Sequence, residues 1–257
     1  MHSVVGGEKN AMLLLDRIGV LRFRRTRLKK ILLVTLVMLC LVALASADTF
    51  TQFATRADQN PSDIFDWGQF GPDATPVNSP ASATSFNGLG ATVSIAGRTM
   101  LTAVDFFGSW NGNFEAGENL LYTGNLAGGG PGPMTITFAS GVSSVGFQIQ
   151  DAFFGAFTAT LQVYNGNTLL DTLIMQGNSN ANNDGSAIFM GLGDLSGNNI
   201  TKIVISDQGV GDANDFAINA LSIGISQQNQ VPEPGSLALM GSGLLGLAGL
   251  VRRRMSR

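Results

Sequence analysis

Between residues 49 and 225, apolar and polar side chains alternate in short runs, punctuated by Gly, Asn, Ser and Asp. In one run Val145, Phe147 and Ile149 alternate with Gly146, Gln148 and Gln150. In another Phe157, Ala159, Leu161 and Val163 alternate with Thr158, Thr160, Gln162 and Tyr164. Successive side chains of a strand point to opposite faces, so each run predicts a sheet with one buried and one wet face. No 3.6-residue period persists for three turns, which argues against helices in this region. The strand candidates are 49–54, 91–96, 100–106, 119–122, 134–139, 142–150, 157–164, 168–175, 186–192, 200–206 and 215–225. Asn165-Gly166-Asn167 lies between two of them and predicts a tight hairpin, because Asn-Gly accepts positive φ. In the last run Phe216 and Ile218 share one parity, whereas Leu221, Ile223 and Ile225 take the other. A bulge near Asn219-Ala220 would keep both sets inward.

Around eleven short strands without a strict repeat predict an all-β fold, a two-sheet antiparallel β-sandwich of jelly-roll type. Residues 60–88 contain Pro61, Pro72, Pro76 and Pro80 and few apolar runs, so they read as an extended loop over the sandwich. The glycines of Ala127-Gly128-Gly129-Gly130-Pro131-Gly132-Pro133 do not open a helix after a strand, which leaves a plain loop rather than a phosphate cradle.

The two ends have a different character. Arg22, Arg24, Arg25, Arg27, Lys29 and Lys30 precede an apolar stretch from Ile31 to Leu44, and Ala45-Ser46-Ala47 fits the small-x-small cleavage rule. This predicts a secretory signal peptide cut after Ala47; a retained anchor is the alternative. The apolar stretch suits the general secretory machinery, and Arg24-Arg25 also resembles a twin-arginine signal. Residues 1–21 are unusual ahead of such a signal, and Met12 is an alternative start. At the other end, Val231-Pro232-Glu233-Pro234 precedes an uncharged run from Gly235 to Val251 and then Arg252-Arg253-Arg254. Prolines cannot continue a sheet ladder, so they separate the body from the uncharged run. Seventeen uncharged residues are at the short end of a membrane-spanning helix. The arginines should stop transfer on the cytoplasmic side.

These C-terminal residues closely resemble the PEP-CTERM sorting signal of Gram-negative bacteria. The resemblance implies handling by an exosortase, with transient anchoring in the inner membrane, and delivery to the cell surface or extracellular matrix. Three regions are therefore expected: signal region 1–47, extracytoplasmic sandwich 48–230 and sorting signal 231–257. Ala238, Ser242 and Gly246 form a small-residue stripe suited to helix packing, or simply make a weakly apolar helix. Segments such as Asp66-Trp67-Gly68-Gln69 and Asp215-Phe216-Ala217-Ile218-Asn219 also resemble ectodomains of such proteins, which implies no particular activity.

Charge is unevenly divided. The chain has 15 Lys+Arg and 18 Asp+Glu, yet only Arg56, Arg98 and Lys202 fall in residues 48–230, against fifteen acids, a net of −12. Such a body repels phosphate backbones and excludes nucleic acid as a partner. The one Cys, Cys40, and the one His, His2, both precede Asp48. The body therefore has no disulfide, no thiol nucleophile, no His/Cys zinc site and no Ser-His-Asp triad.

Carboxylates, amides, hydroxyls and aromatics remain. Asn178–Gly185 alternates oxygen-bearing side chains before a glycine, as the first half of an EF-hand does, but Gly191 stands where the closing glutamate belongs. That loop reads as a solvated turn. Asp212, Asp215 and Asn219 surround the entry to the final strand, where sandwich carbohydrate-binding modules often hold a structural calcium; the plain alternative is turn formation. Glu115 and Glu118 are the body's only glutamates and the candidates for a carboxylate-dependent glycoside hydrolase. Trp110 with Asn111 and Asn113 is the candidate carbohydrate-binding patch, an indole stacking on a sugar face; alternatively Trp67 and Trp110 cap the core. Phe153-Phe154-Gly155-Ala156-Phe157 reads as a hydrophobic plug. The expectation is a non-catalytic surface or exopolysaccharide-associated protein, with a carbohydrate-binding module and a hydrolase as rival readings.

Overall fold

The computed structural model describes residues 50–124, 132–209 and 215–226, all within the unit Thr49–Arg257. The signal region and the whole stretch 231–257 lie outside the described residues, as do Asp212 and Asn214. Among the described residues no helix is long and apolar enough to cross a membrane.

The regular secondary structure of the described residues is almost entirely strand. It begins with β1 (Phe50–Phe53), β2 (Asp63–Phe65), β3 (Pro76–Asn78), β4 (Ala81–Thr84), β5 (Gly90–Ile95), β6 (Thr99–Val104) and β7 (Asn119–Tyr122). It continues with β8 (Met134–Val142), β9 (Ser144–Asp151), β10 (Gly155–Asn165), β11 (Thr168–Ser179), β12 (Ile188–Asp194), β13 (Ile200–Gln208), β14 (Phe216–Ile218) and β15 (Leu221–Gly224). The one short helix, α1 (Arg56–Gln59), is capped by Thr55, whose hydroxyl accepts from the Asp58 amide at 3.1 Å.

Two antiparallel sheets result. The larger runs β1-β12-β9-β14-β7-β6-β3, with β15 also pairing β9 and carrying β2. The smaller runs β11-β10-β13-β8-β5-β4. Val145, Phe147, Ile149, Met190, Phe216 and Ile218 of the larger sheet share one apolar cluster with Val93, Ile136, Leu161, Ile203 and Ile205 of the smaller. This is a β-sandwich, held by an apolar interior to which each buried large side chain contributes about 1.5–3 kcal/mol.

The alternating pattern of 157–164 appears as expected: Phe157, Ala159, Leu161 and Val163 are buried and their neighbours partly exposed. The hairpin closes through Gly166 at φ 57°, with Asn165 paired to Thr168. The final run is broken where parity requires. Ile218 pairs with Ile149 and Ser222 with Gly146, so four steps on one strand face three on the other. Phe216, Ile218, Leu221 and Ile223 are all buried, but Ile225 lies beyond β15 and is exposed.

Two expectations fail. Residues 60–88 are not a plain loop, because they supply β2, β3 and β4 and the 3₁₀ turn Trp67–Phe70. These strands are three or four residues long and lengthen sheet margins, with Pro76 as the first residue of its strand, so no long alternation exists to reveal them. The face of β9 carrying Gly146, Gln148 and Gln150 is not wet either. Gly146 and Gln150 are buried and Gln148 is partly covered, because α1 and two loops lie over this face. Gln59 of α1 donates to the Ser144 hydroxyl at 3.1 Å and accepts from the Ser222 hydroxyl at 2.5 Å. A Cβ at Gly146 would collide with Gln59 Oε1 and Phe189 Cζ, so a larger residue would push these side chains aside.

Candidate functional site

The covered face holds a dense polar layer, and Asn219 is its hub. The one-residue slip between β14 and β15 turns this side chain out of the interior onto the outer face. Its Oδ1 accepts from an Arg56 Nη at 3.0 Å and from the Gln148 amide at 2.7 Å. Its Nδ2 donates to the Glu118 carboxylate at 3.0 and 3.2 Å and to Gln148 Oε1 at 2.7 Å. The Trp67 indole N–H donates to the Asn219 carbonyl at 2.8 Å. Asn219 thus uses both donors and both acceptor directions of its amide. Its oxygen, expected as a calcium ligand, faces Arg56 and a backbone N–H instead. Glu118, the candidate acid, is bound into the same network, and its Oε2 also accepts from the Glu115 amide. Burial pushes the Glu118 carboxyl up, against the hydrogen bond from Asn219 and the Arg56 charge.

A second layer forms where the loop 105–118 meets the loop 180–187. Gly112 donates to Asp105 Oδ1 at 2.9 Å, Asn183 donates to the Gly112 carbonyl at 2.9 Å, and Ala187 donates to the Asn113 carbonyl at 2.9 Å. Gln150 supports both loops: its Oε1 accepts from Trp110 Nε1 at 3.3 Å and from the Asn113 amide at 2.9 Å, while its Nε2 donates to the Ser179 hydroxyl and the Asn180 carbonyl. Trp110 is 7% exposed. It packs edge-on against Tyr122 with centroids 5.1 Å apart and near Phe114, in a small cluster with Ala103, Leu120 and Ala217. The carbohydrate-stacking expectation is corrected here. The indole faces are turned into the protein, Asn113 is buried with it, and only Asn111 stays exposed. Trp67 is fully buried too, so both indoles serve as core caps. Of the plug Phe153–Phe157, Phe157 is buried, while Phe153 and Phe154 are more than half exposed.

A third group lies between the sheets. Asp151 continues the inward parity of Val145, Phe147 and Ile149, and Asp207 continues that of Ile203 and Ile205. The two carboxyl groups come within hydrogen-bonding reach, and a bond between two carboxyls requires one proton. Burial first, then Asp151, pushes the Asp207 carboxyl up to about 8. Asp215 is buried nearby; with burial as the main cause, Asp215 and Asp151 push the Tyr122 hydroxyl up to about 12. Among the described residues no three His, Cys, Asp or Glu side chains gather as a metal-ligating group. Sequence reasoning missed the Asp151–Asp207 pair, although extending the inward parity of both strands by one step would have found it.

The carboxyl pair sets a pH dependence. Asp207 titrates near 8 in the folded chain against an ordinary 3.8, so its contribution is fully present below about pH 4 and is lost as pH rises through about 8. The melting temperature of the parent chain is expected to fall between pH 5 and pH 9. Asp207→Asn keeps a neutral donor beside Asp151 and should flatten that fall, raising Tm at pH 9 by roughly 3–8 °C. Thermal unfolding by circular dichroism at the two pH values measures it.

A family model described as the PEP-CTERM protein-sorting motif matches residues 230–254. The chain carries a PEP-CTERM sorting motif. The PEP-CTERM match takes in Val231-Pro232-Glu233-Pro234, the apolar run and Arg252-Arg253-Arg254. It implies an exported protein, sorted at a membrane and recognised by an exosortase-type processing enzyme. No curated protein matches the chain in sequence. Among solved structures, a DUF4465 family protein from Bacteroides caccae is similar over 68% of this chain and 99% of its own, at 13% identity and a TM-score of 0.35. The K1 cleaved adhesin domain of Lys-gingipain from Porphyromonas gingivalis is similar over 70% of this chain and 99% of its own, at 14% identity and a TM-score of 0.21.

Proposed function

We propose that this chain is a non-catalytic component of the bacterial cell surface or extracellular matrix, delivered by its own C-terminal signal. The secretion machinery takes up residues 1–47 and cleavage follows Ala47. The apolar run from Gly235 to Val251 then holds the chain in the inner membrane until the processing enzyme acts near Pro232-Glu233-Pro234. The observation that carries this reading is the sorting-motif match at 230–254 behind an acidic β-sandwich with no cysteine or histidine. The polar network supports the non-catalytic part. Glu118 is spent on Asn219 and on the Glu115 amide, which suits a brace between layers better than an acid awaiting substrate. A charged, disulfide-free body associated with exopolysaccharide fits the same account.

Replacing Pro232, Glu233 and Pro234 together by alanine tests it. The substituted chain should be exported normally yet remain in the membrane fraction at full C-terminal length, while the parent appears outside it. Equal release of both chains would show that processing does not read this motif.

A further inference from the structure

The junction of the two loops holds a feature that neither the core nor the sorting account uses. Asp105 Oδ2, Asn113 Oδ1 and Asn183 Oδ1 are shielded from solvent and have no donor at hydrogen-bonding geometry, although the Phe106 and Phe114 amides also favour the charged Asp105 carboxyl. Asp105 is 0% exposed and Asn113 3%. Burying an oxygen acceptor without a donor costs on the order of 1–3 kcal/mol, and a carboxylate costs more. Three such oxygens on residues of one loop junction therefore call for a ligand.

All three residues meet around Gly112. Asp105 binds the Gly112 N–H through its other oxygen, the Asn183 backbone N–H donates to the Gly112 carbonyl, and Asn113 is the next residue. The amide groups have their nitrogens committed: Asn113 Nδ2 donates to the Ser186 hydroxyl at 3.2 Å and Asn183 Nδ2 to the Ala181 carbonyl at 3.3 Å. Each amide is thereby fixed with its oxygen as the uncommitted end. Two of the body's three cations are engaged elsewhere: Arg56 is bound to Asn219 and Ala220, and Lys202 lies over the Tyr164 ring.

We propose that Asp105, Asn113 and Asn183 bind a calcium ion that pins the loop 105–118 to the loop 180–187. The donor set is oxygen only, one carboxylate and two amides, which suits a hard cation and offers nothing to zinc or copper. Backbone carbonyls and water complete the six to eight ligands that calcium takes. Irregular loops can adapt to that number more easily than to the strict octahedron of magnesium. One carboxylate gives a weak site, about 10⁻⁴–10⁻³ M, the range of extracellular calcium modules and compatible with an exported protein. The place differs from the expected one at Asp212, Asp215 and Asn219. Asn183 belongs to the run that resembles half an EF-hand, and its missing partners come from the other loop.

The test uses the full-length chain in mild detergent, stripped with EDTA. Calcium at about 5 mM should raise Tm by roughly 3–8 °C and magnesium by much less. Trp110 sits beside Gly112, since a Cβ there would collide with its Nε1, so bound terbium should luminesce when the indole is excited. Calcium should displace that signal. Asn183→Gly suits the positive φ of 51° at this position and removes one ligand oxygen; Asp105→Asn removes the charge. Each should weaken calcium binding at least about tenfold while the metal-free Tm shows a folded chain. No calcium-dependent shift and no terbium signal in the parent would overturn the proposal. So would titrations unchanged in both variants, or a rise in Tm produced by acid and not by calcium, which would place a proton on Asp105.

Discussion

Asn219→Ala is expected to cost about 3–5 kcal/mol of stability, among the largest single losses available in this chain. The alanine removes one small side chain but takes a partner from four groups: the Arg56 guanidinium, the Glu118 carboxylate, the Gln148 backbone N–H and the Gln148 side-chain oxygen. Each is part-buried and has been built around this amide, so water cannot replace it without opening the layer. For a body of this size the loss should lower Tm by roughly 6–15 °C, read by differential scanning calorimetry. Asn219→Asp is a sharper probe. It is nearly isosteric, yet it turns an oxygen toward Glu118 where a nitrogen had donated. Its penalty should be greater at pH 8 than at pH 5, since Glu118 already favours its proton through burial. A loss below about 1 kcal/mol for the alanine would mean that the network is decorative.

Trp110→Ala comes next, at about 3–5 kcal/mol, the range for emptying a buried aromatic site. The indole fills the space between Phe114 and Tyr122, and its N–H reaches Gln150. Deleting it should loosen the loop 105–118 as well as lower Tm, and hydrogen exchange of that loop should rise with it. This outcome separates the core-cap role from a sugar-stacking role. A stacking platform could be truncated with little change in Tm and a clear loss of polysaccharide binding. The expected pattern is the reverse.

Much of the interior was legible in the sequence because it follows local rules. The alternation at 157–164, the glycine turn at 166 and the parity break at 219 each depend on a few consecutive residues, and each appears where expected. The covering layer was not legible, because nothing near Gln148 or Gln150 in sequence specifies what lies above them. Their partners are Gly185, Ala187, Ser179, Asn180 and Trp110, roughly 30–40 residues away. Trp110 illustrates the same limit. An indole flanked by Asn and Gly has the composition of an exposed patch, and only the loop folding back over the sheet reveals that it is enclosed. Strands β2, β3 and β4 were missed for a different reason: three or four residues are too few to show a period.

The most direct test of the central claim is the intact mass of the protein recovered from native cells, with membrane and extracellular fractions measured apart. The account predicts an extracellular species running from Asp48 to a residue near Pro232, with any added glycan or lipid visible as extra mass. A single membrane-bound species that retains residues 235–257 would contradict it.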